Sequence, residues 1–256
     1  MTQANESTPA ASLLQTYLRL LRFGGSNGTS QSRPLNPWRV TLRNIFPDTN
    51  LNSLSNVSEI LAPQHLRVIF VRHPFARLAS AYKERIAILE KDRVEPEQYY
   101  DSIRKSICRR YTRFRSVKNS SVKQDPCKDF IPPFEHFVRY ILTSTGTPAG
   151  VARMDAHWQP YSIVCQVCKF NYNFIGKYET FTEDFTALVK HVNATDWNIQ
   201  KRIGASGYTA SNYQELFASL PAELLCRLEH LYKDDFRLFN YRPEEYANRT
   251  TLICST

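Results

Sequence analysis

The sequence predicts an α/β fold, helices packed on a sheet. Three observations predict it. Leu66–Ile86 reads as strand, tight turn and helix. A second short strand, Asn173–Ile175, runs into Gly176 and is followed by another helix. Elsewhere, apolar residues recur mostly at the 3.6-residue spacing of amphipathic helices.

Taken in order, Met1–Ala11 is polar and expected to be unstructured or atypical. Ser12–Phe23 predicts a helix with a broad stripe of Leu13, Leu14, Tyr17, Leu18, Leu20 and Leu21, and with Ser12 as its cap. Gly24–Pro37 is a Gly/Ser/Asn/Pro loop, and Asn56–Leu61 predicts a short helix. Leu66, Val68, Ile69, Phe70 and Val71 then form an apolar run too short for a helix. Arg72-His73-Pro74 breaks it. Pro74 suits a first helical position, where a missing N–H costs nothing and a fixed φ is already helical. Phe75, Leu78, Ala79, Tyr82 and Ile86 share one face of the helix that follows, and Arg77, Ser80 and Glu84 share the other. The apolar face is expected to pack on a sheet. An arginine at a strand end, a helix N-terminus and a hydroxyl on the polar face together suit a phosphate.

Arg104–Lys128 is strongly basic, with RRYTRFR at Arg109–Arg115. Its residue types fit nucleic acid, a groove for sulfated or carboxylated sugars, or a solvated helix face. Phe134–Leu142 predicts a helix introduced by Pro132 and Pro133, with Phe134, Phe137, Val138 and Ile141 inward. Within Met154–Glu183, His157 combines a carboxylate two residues earlier with an aromatic neighbour, Trp158, which suits either sugar stacking or core. Cys165-x-x-Cys168 is half of a zinc motif, but no second pair completes it, so a disulfide involving these cysteines is expected instead. Thr180-x-x-Glu183 fits a capping box opening a helix to about Val192, with Phe185, Leu188, Val189 and Val192 inward. Lys201–Asn212 is a basic loop in which Lys201 and Arg202 are placed to close over a ligand. Tyr213–Phe217 and Ala222–Tyr232 predict helices, and Asp235–Tyr241 closes the domain.

The 256 residues carry a net charge of +9, which suits a polyanionic partner or a plain basic surface. No run of about 18 apolar residues is present. Six N-x-S/T sequons (Asn5, Asn27, Asn56, Asn119, Asn193 and Asn248) exceed the roughly two that chance gives, and hint at a lumenal or secreted protein. Six cysteines are compatible with disulfides there, in any of 15 connectivities.

Phe70–Tyr82, FVRHPFARLASAY, resembles the 3′-phosphate motif of Golgi carbohydrate sulfotransferases. The branch is that of the chondroitin/dermatan 4-O-, N-acetylgalactosamine 4-O- and HNK-1 enzymes. FEHFVRYIL, DAHWQPYSIVCQVC, FIGKYET and LYKDDFRLFNY continue the resemblance in order, over roughly Ser12–Tyr241. The resemblance implies a P-loop-NTPase-like parallel sheet flanked by helices, in one domain over residues 12–246 with a tail at 247–256. It implies 3′-phosphoadenosine 5′-phosphosulfate (PAPS) as sulfuryl donor, no metal, and a GalNAc-containing or anionic glycan acceptor in the Golgi lumen rather than nucleic acid. Arg72 and Ser80 would hold the 3′-phosphate, within a cofactor segment of Arg72, His73, Pro74, Phe75, Ala76, Arg77, Leu78, Ala79 and Ser80. Ser80 lies roughly 9 Å along the axis from Pro74, so the phosphate is expected on the helix flank. Arg77 would assist, or form an exposed ion pair. His157 is the candidate general base, with a structural histidine as the competing role. The family's 5′-phosphosulfate loop maps to Thr8–Ser12, where its lysine is missing. No membrane anchor is present in the sequence either. An incomplete N-terminus is therefore expected, and the alternative function is a member that binds PAP(S) or glycan without turnover.

Overall fold

The computed structural model describes residues 61–63, 65–89, 96–112, 125–143, 145–193 and 210–247. The expectations for Thr8–Ser12, Ser12–Phe23, Gly24–Pro37, nearly all of Asn56–Leu61, and residues 113–115 and 201–209 lie outside them.

The chain begins with β1 (Val68–Val71), α1 (Pro74–Ala81) and a π-helical turn over Tyr82–Ile86. Then come α2 (Pro96–Tyr111), α3 (Phe134–Thr143), α4 (Pro148–Ala152), α5 (Tyr161–Val164) and α6 (Val167–Phe170). β2 (Phe174–Lys177), α7 (Phe181–His191), α8 (Ala210–Ala218), α9 (Ala222–Leu238) and α10 (Glu244–Ala247) complete the described elements. They fall into two compact units, one within residues 1–70 and 169–200, the other within 71–168 and 201–256.

In the first unit β1 and β2 form a two-stranded parallel sheet. The amides of Asn173 and Phe174 both donate to the Arg67 carbonyl, at 2.9 and 3.1 Å. The Asn173 side chain accepts from the Arg67 amide at 3.0 Å. Phe70 packs against Phe174, Phe181 and Phe185. Gly176 is required here, because a Cβ at that position would run into the Phe70 ring. The expected capping box does not form: Thr180 makes no side-chain cap bond to the helix backbone. Asp184 takes over the turn, accepting from the Lys177 amide at 2.7 Å and the Thr180 hydroxyl at 2.8 Å. Of the four residues expected inward on α7, only Leu188 is fully buried.

The second unit has an aromatic core. All five residues assigned to the apolar face of the Arg72-to-Ile86 helix are buried. That face meets helices: Phe75 stacks on Phe217 of α8 at 4.7 Å and meets Phe236 of α9 edge-on at 5.2 Å. Tyr82 packs on Phe134 and Phe137 of α3. Burying each such ring is worth about 1.5–3 kcal/mol. The wide last turn closes with the Ala87 amide on the Tyr82 carbonyl at 2.8 Å. Arg85 is thereby buried, and its carbonyl accepts from Arg104 at 3.1 Å. Arg104, expected in a basic outer stretch, is only 1% exposed. The Cys108–Cys127 disulfide joins α2 to the turn before α3. Closing a loop of that size stabilises by about 3 kcal/mol in the chain-entropy account.

Candidate active site

Every residue of the site lies in the second unit. At its edge, the β1–α1 turn is built mainly by His73. The ring is fully buried. Its Nδ1 accepts from the Phe75 amide at 3.2 Å, so Nε2 carries the proton and donates to the Arg242 carbonyl at 2.9 Å. Phe236, Tyr241 and Tyr246 surround it. With His73 capping one amide, Pro74 lacking one and the Arg77 amide bonded to the His73 carbonyl, the axial end of α1 offers little to an anion. The flank remains. Phe75, Ala76, Leu78 and Ala79 are buried, so their side chains serve the core. Arg72 is half-buried, its guanidinium 5.4 Å from the Tyr213 ring centroid. Ser80, also half-buried, donates to Glu84 at 3.1 Å. A phosphate on that flank would need the serine proton, so the hydroxyl would have to turn away from Glu84.

Arg77 reaches from α1 to a distant turn. Its guanidinium donates to the carbonyls of Gln159, at 2.6 Å, and Ala156, and lies 4.1 Å from the Tyr161 ring centroid. It therefore ties α1 to the Asp155–Ser162 turn that presents His157. The rest of that turn is held from α9. Tyr232 donates to the Trp158 carbonyl at 2.6 Å. Asp235, fully buried, accepts from the amides of Tyr161 and Ser162 at 2.7 and 2.8 Å. Burial raises the Asp235 carboxyl above its ordinary value, against the pull of those amides and of Arg77. Within the turn, the Gln159 side chain donates to the carbonyls of Val151 and Ala152.

His157 stands on this braced turn with its side chain 37% exposed. Asp155 Oδ1 lies 2.7 Å from His157 Nδ1 and accepts from the His157 amide at 2.8 Å. A carboxylate there fixes the proton on Nδ1 in the neutral ring and leaves the lone pair on Nε2, as a general base requires. Burial alone would raise Asp155, but bonds from the His157 ring and amide and from Tyr99 outweigh it and hold the carboxyl below its ordinary value. The Tyr100 hydroxyl sits 3.1 Å from His157 Nδ1. Burial, then the Asp155 charge, push its phenol up to about 12, so it stays protonated at neutral pH. Tyr99 is 50% exposed beside it.

Tyr99, Tyr100, Tyr232 and Asp235 are the site residues that sequence reasoning passed over. A tyrosine pair inside a helix that sequence reasoning leaves unassigned carries no signal of its own. Trp158 resolves to core: it is 3% exposed and meets Phe137 edge-on at 5.3 Å. Cys165 and Cys168 are thiols, correcting the expected disulfide, while Cys226 is disulfide-bonded. Among the described residues no group of three or more His, Cys, Asp or Glu side chains could hold a metal. No described helix is long and apolar enough to cross a membrane. Lys177 and Glu179 belong to the β2–α7 turn of the first unit.

Residues 15–242 match the Sulfotransferase family. The chain belongs to that family. Carbohydrate sulfotransferase 12 of Mus musculus is 28% identical over 191 residues, 74% of this chain and 43% of that protein. Carbohydrate sulfotransferase 11 of Rattus norvegicus is 28% identical over 218 residues, 82% and 57%. Carbohydrate sulfotransferase 10 of Xenopus laevis is 26% identical over 243 residues, 93% and 64%. The chain thus spans about half the length of the first two relatives. No solved structure matches it.

Proposed function

We propose that this sulfotransferase-family chain is a carbohydrate O-sulfotransferase using PAPS, with one catalytic domain over residues 12–246 and a P-loop-NTPase-like parallel sheet flanked by helices. The observation that carries the reading is the Asp155–His157 pair, held by Arg77 to the helix that bears the 3′-phosphate motif. The donor set suits the cofactor's 3′-phosphate: a half-buried guanidinium at Arg72, before the capped start of α1, and a half-buried hydroxyl at Ser80, farther along its flank. PAPS, when bound, supplies the sulfuryl group. Arg72 and Ser80 hold the phosphate end on the α1 flank. His157 Nε2 takes the proton of the acceptor hydroxyl, and Asp155 stabilises the imidazolium that results. Tyr100 keeps the pair ordered without gaining charge. The acceptor is a glycan hydroxyl of GalNAc type, and the compartment is the Golgi lumen, where the disulfides and sequons of this chain fit.

The test is transfer of labelled sulfate from PAPS to chondroitin, dermatan and N-acetylgalactosamine-terminated glycans, alongside calorimetry with PAP. His157→Gln should lower kcat by about 10²–10⁴-fold, the usual worth of a general base, with PAP affinity kept. Arg72→Ala should weaken PAP by about tenfold or more, since a hydrogen bond to a charged group is worth about 1.5–3 kcal/mol. PAP binding without transfer to any of these acceptors would replace the enzyme with a family member that binds without turnover. Absence of PAP binding would remove both readings.

A further inference from the structure

Arg77 sits one helical turn before Ser80, in a motif that binds phosphate, and its charge suggests a third phosphate ligand. Its contacts point elsewhere. The planar guanidinium spends its Nη1 on the Gln159 carbonyl and its Nη2 on the Ala156 carbonyl, which flank His157 in the chain. Its face lies over Tyr161. A guanidinium can bridge two carbonyls and stack on a ring at once, whereas an ammonium is a point charge with no fork and no face. His157 is already fixed within its turn by Asp155. The turn as a whole still needs a fixed offset from the helix on which the phosphate motif lies, and Arg77 is the side chain of α1 that supplies it.

We propose that Arg77 is a positioning residue for His157, clamping the Ala156–Gln159 turn to α1 so that the base and the Arg72–Ser80 flank move as one piece. This rests on the reading of His157 as general base. The charged and titratable groups facing Arg77 agree with a structural placement of its charge: Asp235 on α9, with Tyr161, Cys165 and Tyr232, all lie within its electrostatic reach. Misplacing a reacting group by about 1 Å can cost about 10²-fold in rate, which sets the size of the expected effect.

The experiment compares the whole chain with Arg77→Lys, His157→Gln and the double variant. Arg77→Lys keeps the charge and most of the length, and so separates the fork from the cation. Expected are a PAP dissociation constant within about twofold of the parent, kcat lowered by about 10²-fold with little change in KM, and no further loss of kcat when His157→Gln is added. Amide exchange at Ala156–Gln159 should speed up by about tenfold or more while the α3 core stays protected. A tenfold or greater loss of PAP affinity in Arg77→Lys would make Arg77 a phosphate ligand and overturn the proposal. So would unchanged exchange at Ala156–Gln159, or losses that multiply in the double variant. A kcat unaffected by His157→Gln alone is a different failure: it removes the general-base reading itself, whatever Arg77 does.

Discussion

Two turns flank the candidate site, and they are built in opposite ways. The Arg72–Pro74 turn is mostly self-made. Pro74 sets the first helical φ, and His73 caps an amide two residues away, while its buried ring also bonds the Arg242 carbonyl and packs on Phe236, Tyr241 and Tyr246. The Asp155–Ser162 turn is held chiefly from outside. Arg77, Tyr232 and Asp235, each 73 to 82 residues distant, take its carbonyls and amides. The backbone of the first turn is shaped chiefly by its own proline and histidine. The second exists only when α1 and α9 are in place, so His157 is presented only by the folded unit.

The contrast can be broken from the far side first. Asp235→Ala would leave the half-buried amides of Tyr161 and Ser162 without their acceptor, at about 1–3 kcal/mol for each. We expect about 3 kcal/mol of lost stability by chemical denaturation, and faster amide exchange at Tyr161 and Ser162. Tyr232→Phe removes one donor from the buried Trp158 carbonyl and should cost about 1–3 kcal/mol by the same reasoning. On the near side, His73→Asn keeps a capping acceptor but forfeits the Arg242 bond and part of the ring's packing, for about 2 kcal/mol. If His73→Asn proved as damaging as Asp235→Ala, the self-made character of the first turn would be refuted.

The same contrast explains what the sequence disclosed. Strand, proline and helix at Leu66–Ile86 follow rules of near neighbours, and the five inward residues were legible from spacing alone. α3 was legible for the same reason, with its four expected inward residues all buried. The helical period did not reveal the π turn, because one extra residue in the last hydrogen-bonded ring leaves the apolar spacing nearly unchanged. Thr180-x-x-Glu183 matched a local capping pattern, but Asp184 offered a nearby carboxylate that took the turn instead. Of the site, the adjacency of Asp155 and His157 was visible. The partners of Arg77 were not, because a guanidinium on a polar face suits solvent, phosphate or a distant carbonyl equally well in one dimension. Trp158 was undecided until its packing on Phe137 was known.

The smallest effect expected is also the one that separates the two carboxylates of the site. Asp155 is held below its ordinary value, so in the window between its folded and unfolded pKa the unfolded chain binds more protons. Its contribution to stability is present above the unfolded value and is lost as pH falls through the folded one. Asp235 is raised by burial, so the sign reverses: its contribution is present below the unfolded value and is lost as pH rises through the folded one. Acidifying from neutrality should therefore first stabilise the second unit slightly, as Asp235 takes its proton, and then destabilise it as Asp155 does. Urea midpoints between about pH 3 and pH 7, which bracket the ordinary carboxylate range, would show both limbs. Asp235→Asn should erase the upper limb, and Asp155→Asn the lower. A single monotonic loss in the parent that neither variant alters would mean that the two carboxylates do not act on stability with opposite signs. The bracing of the His157 turn from α9 would then have no electrostatic component.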